Sequence, residues 1–174
     1  MYRQRWIELD HRCFALLFLR LGQGRLRSCS YWVSKTADGP LYALFAAGLY
    51  WRGTPADLQF VTLLALAFAI ELPSYLLLKN LFRRQRPAVA MAGQIQAHIE
   101  PSDRFSLPSG HTAGAFVLVS CIAVMAPIWL PLALLWGTMV GMSRVLLGVH
   151  FPGDILADML LGTGSLLVAT IALS

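Results

Sequence analysis

Charge is scarce in this chain. Asp, Glu, Lys and Arg make up 13% of its 174 residues, where a soluble domain carries about 25%. Hydrophobic residues reach 57% and gather in long blocks, which excludes an ordinary soluble domain and implies membrane-spanning helices. Cysteine is scarce too. Cys13, Cys29 and Cys121 have no CxxC spacing and are odd in number, so they cannot all pair internally and read as free thiols. The formal net charge is +5, yet no basic stretch with interleaved aromatics is present, so nucleic acid is not an expected partner. Several arginines sit instead at the edges of apolar blocks, where they can meet lipid headgroups or a phosphate ligand. There is no internal repeat and no low-complexity tract. A secretory leader is not expected: Glu8, Asp10, His11 and Arg12 follow the charged start, and the apolar run Cys13 to Leu19 is short and ends at Arg20 without a small-residue cleavage site.

What is present is a series of apolar blocks joined by polar turns. In residues 1–36, Trp6, Leu9, Cys13, Leu16, Leu17 and Leu21 fall near helical spacing among Arg5, Asp10, Arg12 and Arg20. That pattern suits a helix lying in the headgroup region. Gly22 and Gly24 break it, and a second amphipathic piece with Leu26, Tyr31, Trp32 and Val33 runs to the turn at Asp38, Gly39 and Pro40. Apolar blocks follow at 41–51, 58–78, 112–126, 132–142 and 155–173. The first is short and extends back towards residue 37 to span; the second carries Glu71 and Pro73. The expected fold is all-α: a multi-pass membrane helical bundle of about five spans (37–174), preceded by an amphipathic interfacial segment (1–36). Gly110 and Gly114, like Gly137 and Gly141, have the small-xxx-small spacing that lets helices approach in lipid.

Three polar clusters lie at the ends of these blocks, and alternating spans bring all three to one membrane face. The first is Lys79 with Arg86 and Pro87. A lysine at a helix end ordinarily snorkels, but Arg86 has its backbone fixed by the following proline, and its planar fork matches two phosphate oxygens. Arg83 and Arg84 read as solvated or headgroup-facing. The second is Pro108-Ser109-Gly110-His111. Ser109 is placed to N-cap the next block, whose first N–H groups form a natural seat for phosphate. Gly110 allows close approach, and His111 can exchange a proton near neutral pH. The third is Ser143 and Arg144 with His150 and Asp154. On a helix entering the last block, His150 and Asp154 would face the same way one turn apart. The carboxylate would then fix the tautomer and leave the other nitrogen free to attack. A shared metal ion is the competing reading; the cations Lys79, Arg86 and Arg144 weigh against it. Glu71 and Asp158 receive no role, and His11 and His98 read as exposed or interfacial.

With these residues assembled, the chain resembles the type-2 phosphatidic acid phosphatase superfamily, which includes vanadium haloperoxidases and bacterial undecaprenyl-diphosphate phosphatases. The signature positions are Lys79, Arg86, Pro87; Pro108 to His111; and Ser143, Arg144, His150, Asp154. The resemblance covers roughly residues 40–174. It implies hydrolysis of a lipid phosphate or diphosphate through a phosphohistidine. No metal and no cofactor are expected, because Lys79, Arg86 and Arg144 already supply the cations. His150 would be the nucleophile, Asp154 its orienting partner and His111 the acid and then the base. Lys79, Arg86, Ser109, Gly110 and Arg144 would hold the phosphoryl oxygens. Undecaprenyl diphosphate is the first expected substrate, phosphatidate or phosphatidylglycerophosphate the next, and a lipid phosphotransferase the alternative of another class. The implied partners are that lipid and the bilayer itself. Counting arginines favours a cytoplasmic site, whereas the resemblance favours the periplasmic face of the inner membrane, which is the expectation.

Overall fold

The computed structural model describes residues 2–101 and 103–174; Met1 of the interfacial segment and Ser102 of the polar stretch lie outside them. The described residues form helices α1 (Tyr2–Leu21), α2 (Gly24–Lys35), α3 (Gly39–Arg52), α4 (Pro55–Phe82), the short α5 (Pro87–Ala90), α6 (Gly110–Met125), α7 (Leu130–Leu146) and α8 (Pro152–Ala172). A single 3₁₀ turn, Pro127–Trp129, leads into α7. No β-strand occurs among the described residues, only an isolated bridge between Gln85 and Phe105.

Local chemistry sets the helix ends. Thr54 caps α4 by accepting from Asp57 N at 3.2 Å, and Pro55 occupies the first turn, where its missing N–H costs nothing. Gly53, at φ 69°, ends α3 in the left-handed region. α4 continues through Pro73 and ends at Lys79 to Phe82, with Arg83 in the left-handed conformation. Three helices are long and apolar enough to cross a membrane: Pro55–Phe82, Pro127–Leu146 and Pro152–Ala172. α6 is apolar but shorter, and α3 has 14 residues.

α6 is the central helix and packs on α4, α7 and α8. Its residues Ala113, Ala115, Val117 and Cys121 are fully buried. Small residues permit the close crossings. A Cβ on Gly137 would lie 2.9 Å from Val119, and one on Gly141 2.6 Å from Ile155. A Cβ on Gly162 of α8 would meet the α6 backbone at Ala113 and Val117. Gly110 and Gly114 instead face aromatic rings of α3 and α4. The outward faces carry exposed leucines: Leu72, Leu76 and Leu77 on α4, Leu132 and Leu135 on α7, Leu160 and Leu167 on α8. That is the pattern of a bundle solvated by hydrocarbon.

The N-terminal helices lean on this bundle. Trp6, Leu9, Leu16 and Leu21 of α1 are exposed, whereas Phe14 and Phe18 are buried with Ile95, Val145, Phe151 and Ile155. α2 buries Ser30 and Ser34 against α7 and turns Leu26, Tyr31 and Trp32 outwards. Polar groups inside and apolar groups outside invert the pattern of a soluble surface helix.

Candidate active site

Contacts link the three sequence clusters pairwise: Arg86 of the first meets His150 of the third, and His111 of the second lines one chamber with Arg144 of the third. Lys79, Arg86 and Arg144 are each about 5–6% exposed, Ser109 1% and His150 2%. Burying three cations together requires counter-charges, and a residue outside the motifs supplies one. The carboxylate of Asp103 lies 2.7 Å from Arg86 Nη2 and 2.5 Å from Lys79 Nζ. Tyr75 Oη bonds both Asp103 and Lys79. Burial raises the Asp103 carboxyl, but Lys79 and Arg86 outweigh it and hold it below the usual range. An internal carboxylate therefore sits on two of the three cations expected to hold phosphate.

His150 lies in the turn between α7 and α8, not on a helix. Gly148, at φ 80°, makes that turn, and a Cβ there would run into Phe18 and Ala97. α8 starts only at Pro152, so the expected one-turn face shared by His150 and Asp154 does not form. Instead Asp154, in the first turn of α8, approaches from beside the ring: His150 Nδ1 and Asp154 Oδ2 are 3.8 Å apart, longer than a hydrogen bond. The other ring nitrogen, Nε2, lies 3.2 Å from Arg86 Nη1. A guanidinium only donates, so Nε2 is the acceptor and the ring proton sits on Nδ1, towards Asp154. Burial, with Arg144 and Arg86 behind it, pushes the imidazole down to about 4 against the pull of Asp154. The ring is thus neutral at neutral pH and carries a lone pair on Nε2.

Asp154 is itself fully buried and held from three sides. Oδ2 accepts from Phe151 N at 2.9 Å and from Ser106 Oγ; Oδ1 accepts from Arg84 Nη1 at 2.6 Å. Arg84 also pairs with Asp10 of α1 and lies over the Phe151 ring at 4.5 Å. This corrects the expectation that Arg84 faces solvent or headgroups: with a carboxylate buried next to it, its guanidinium is drawn inwards. Arg83 is exposed, as expected.

Ser109 stands at the N-cap position of α6, but its side chain makes no cap bond. Among the described residues its hydroxyl meets only Thr112 Oγ1, at 3.5 Å, and its backbone N–H is taken by Asp158 Oδ1 at 3.0 Å. Asp158 thereby ties the start of α6 to α8. Arg144 donates to Ser34 Oγ at 2.6 Å, and its buried Nε has no partner among the described residues. His111 Nε2 lies 3.0 Å from Asp38 Oδ1. His98 and His11 are packed rather than free: His98 bonds Gly22 O at 2.6 Å and stacks on Phe18, and His11 stacks on Phe151.

Two chambers meet at His111. One, of about 520 Å³, lies between α3, α4 and α6 and is walled by Tyr42, Ala46, Leu64, Phe68, Leu72 and Gly114. Glu71 is buried in that wall, with Oε1 unpartnered among the described residues. The other, of about 370 Å³, is polar and is lined by Ser34, Lys35, Asp38, Glu100, His111 and Arg144. The arrangement offers an apolar slot, a basic seat and two imidazoles. That set can bind a phosphate carried on a hydrocarbon chain.

Residues 58–174 match the PAP2 superfamily, and the chain belongs to it. It is 32% identical over 120 residues to "Putative undecaprenyl-diphosphatase YbjG" of Escherichia coli (strain K12), covering 68% of this chain and 60% of that protein. It is 35% identical over 92 residues to a decaprenylphosphoryl-5-phosphoribose phosphatase of Mycobacterium tuberculosis, covering 49% and 46%. The chain thus spans less than two thirds of either relative. Its fold matches the crystal structure of Aquifex aeolicus LpxE with TM-score 0.80 at 22% identity, covering 92% of this chain and 93% of that one. It matches a transmembrane PAP2-type phosphatidylglycerolphosphate phosphatase from Bacillus subtilis with TM-score 0.75 at 24% identity, covering 97% and 86%.

Proposed function

We propose that the protein is an integral membrane phosphatase that cleaves a lipid diphosphate or phosphate through a phosphohistidine, with undecaprenyl diphosphate as first substrate. The observation that carries this reading is the meeting of an apolar chamber and a basic seat at His111, with Arg144 lining that seat and also acting on the buried His150. The lipid chain occupies the apolar side. Its terminal phosphate displaces Asp103 from Lys79 and Arg86 and takes up the free Nε of Arg144, while Ser109 and Gly110 line the seat. The Nε2 lone pair of His150 attacks phosphorus, the bond from phosphorus to the leaving oxygen breaks, and His111 gives that oxygen a proton. Asp154 stabilises the positive ring. Water then attacks phosphorus, His111 takes its proton, and the P–N bond breaks with its electrons returning to Nε2. The bridging cations and helix N-terminus supply the charge stabilisation that a metal supplies elsewhere. The donor set disfavours an ion shared by His150 and Asp154, because Arg84, Ser106 and Phe151 N already occupy the carboxylate. The polyprenyl substrates in the names of the two curated relatives support a polyprenyl lipid here.

Purified protein in detergent is expected to release inorganic phosphate from undecaprenyl diphosphate faster than from phosphatidate or phosphatidylglycerophosphate, to keep its rate in EDTA and to lose it to vanadate. Activity lost in EDTA and restored by a divalent ion would replace the metal-free reading. Phosphate recovered on a second lipid rather than in water would make the protein a phosphotransferase.

The same reading takes about five spans, an interfacial α1 and α2, and a site opening to the periplasmic face of the inner membrane. The side is tested by single cysteines at Gln96 and Ala56, both exposed, in a background lacking Cys13, Cys29 and Cys121. An impermeant thiol reagent is expected to label position 96 but not 56 on intact cells; the opposite pattern puts the site in the cytoplasm. His98 is unsuitable because its side chain is tied to Gly22.

A further inference from the structure

The turn between α2 and α3 belongs to none of the three motifs, yet it enters the site. Asp38 is the N-cap residue of α3, a position where an aspartate ordinarily accepts from the backbone of the helix it starts. It makes no such bond. One oxygen goes to Lys35 Nζ at 2.9 Å and the other lies 3.0 Å from His111 Nε2. The cap has been given up for an imidazole, and that imidazole stands where the two chambers meet, with Asp38 lining both.

We propose that Asp38 is a positioning residue for His111, fixing the orientation of the ring and supporting its protonated form as the leaving oxygen departs. The inference rests on the phosphatase reading above. Besides Asp38, the charged and titratable groups around His111 are Tyr31 and Lys35 from α2, Tyr42 from α3, Arg144 from α7, Glu100 from the loop before α6, and Glu71 and Tyr75 from α4. Lys35 and Arg144 both oppose a positive ring, so a carboxylate in direct contact is needed to offset them. With Nε2 held by Asp38, Nδ1 is the nitrogen left to serve the substrate, and no partner for it is found among the described residues. The site then holds two histidine–aspartate pairs, one for the nucleophile and one for the acid–base group, and the second is built by a segment outside the motifs.

The test separates help to the leaving group from general damage. An alkyl phosphate with a long chain loses an alcohol, which needs a proton. A nitrophenyl phosphate bearing the same chain loses a stabilised phenolate, which does not. Asp38→Asn is expected to lower kcat/KM on the alkyl phosphate about 10²-fold, the low end of what general acid–base assistance contributes. It should leave kcat/KM on the nitrophenyl phosphate within about threefold of the wild type, since this ratio reports the step in which the leaving group departs. Equal losses on both substrates would mean that Asp38 only holds the fold, and the inference fails. No hydrolysis of either substrate by the wild-type protein would remove the phosphatase reading, and this inference with it.

Discussion

His150→Ala is expected to abolish turnover, with a loss of about 10⁵-fold or more, the scale seen when a covalent nucleophile is removed. On the proposed mechanism no other side chain replaces it: Lys79, Arg86 and Arg144 are cations, Ser109 has no base within hydrogen-bond reach among the described residues, and His111, the other imidazole, is held through Nε2 by Asp38 and serves as the acid. The His150 ring also has the right form. Burial holds it at about 4, so it is neutral, and Nε2 accepts from Arg86 rather than carrying a proton. The fold should survive, because Arg86 keeps its bonds to Val149 O, Asp103 O and the Asp103 carboxylate. The measurement is phosphate release together with trapping of a phosphoenzyme that is labile to acid and stable to base, as a phosphoramidate is. Wild-type protein should form it and His150→Ala should not. Hydrolysis within tenfold of wild type by His150→Ala would end the phosphohistidine reading.

The candidate residues were legible because they sit next to helix ends at fixed spacing. Lys79 closes an apolar block, Gly110 and His111 open one, and Arg144 closes another; Arg86 contacts His150, and Arg144 shares the polar chamber with His111. The helical bundle itself followed from the apolar blocks, since buried backbone in hydrocarbon must bond within its own segment. What was not legible depends on distant partners. Arg84 and Asp154 are 70 residues apart, His111 and Asp38 are 73 apart, and Ser34 and Arg144 are 110 apart. No local pattern announces such pairs, and Asp103 is one acid in a charged loop. One miss did have a signal. Pro152 follows His150 by two residues, and proline favours the first turn of a helix. α8 starts there, which leaves His150 in the turn before it.

The second large effect lies in the arginines, where the four guanidiniums should separate by an order of magnitude or more. Arg144→Ala and Arg86→Ala are each expected to cost about 10²- to 10³-fold in kcat, the scale of losing one preorganised donor to developing charge. For Arg144 the argument is its buried Nε, which has no partner among the described residues, and its place in the polar chamber. For Arg86 it is contact with both His150 and Asp103, the residue that phosphate displaces on the proposed mechanism. Arg83→Ala should fall within threefold of wild type: the side chain is exposed, and its Nε bonds only Asn80 O at 2.9 Å. Arg84→Ala distinguishes between accounts of the site. A solvated arginine would behave like Arg83. An arginine 2.6 Å from a fully buried carboxylate should not, because its removal leaves that carboxylate without its countercharge. Part of the effect should appear as reduced thermal stability in detergent, and part as lower kcat with KM little changed, since Asp154 acts after the phosphate is bound. Ser106 and Phe151 N still hold the carboxylate, so Arg84→Ala should stay above His150→Ala. Equal losses at all four arginines would mean that surface charge near the membrane, rather than this arrangement, drives the rate.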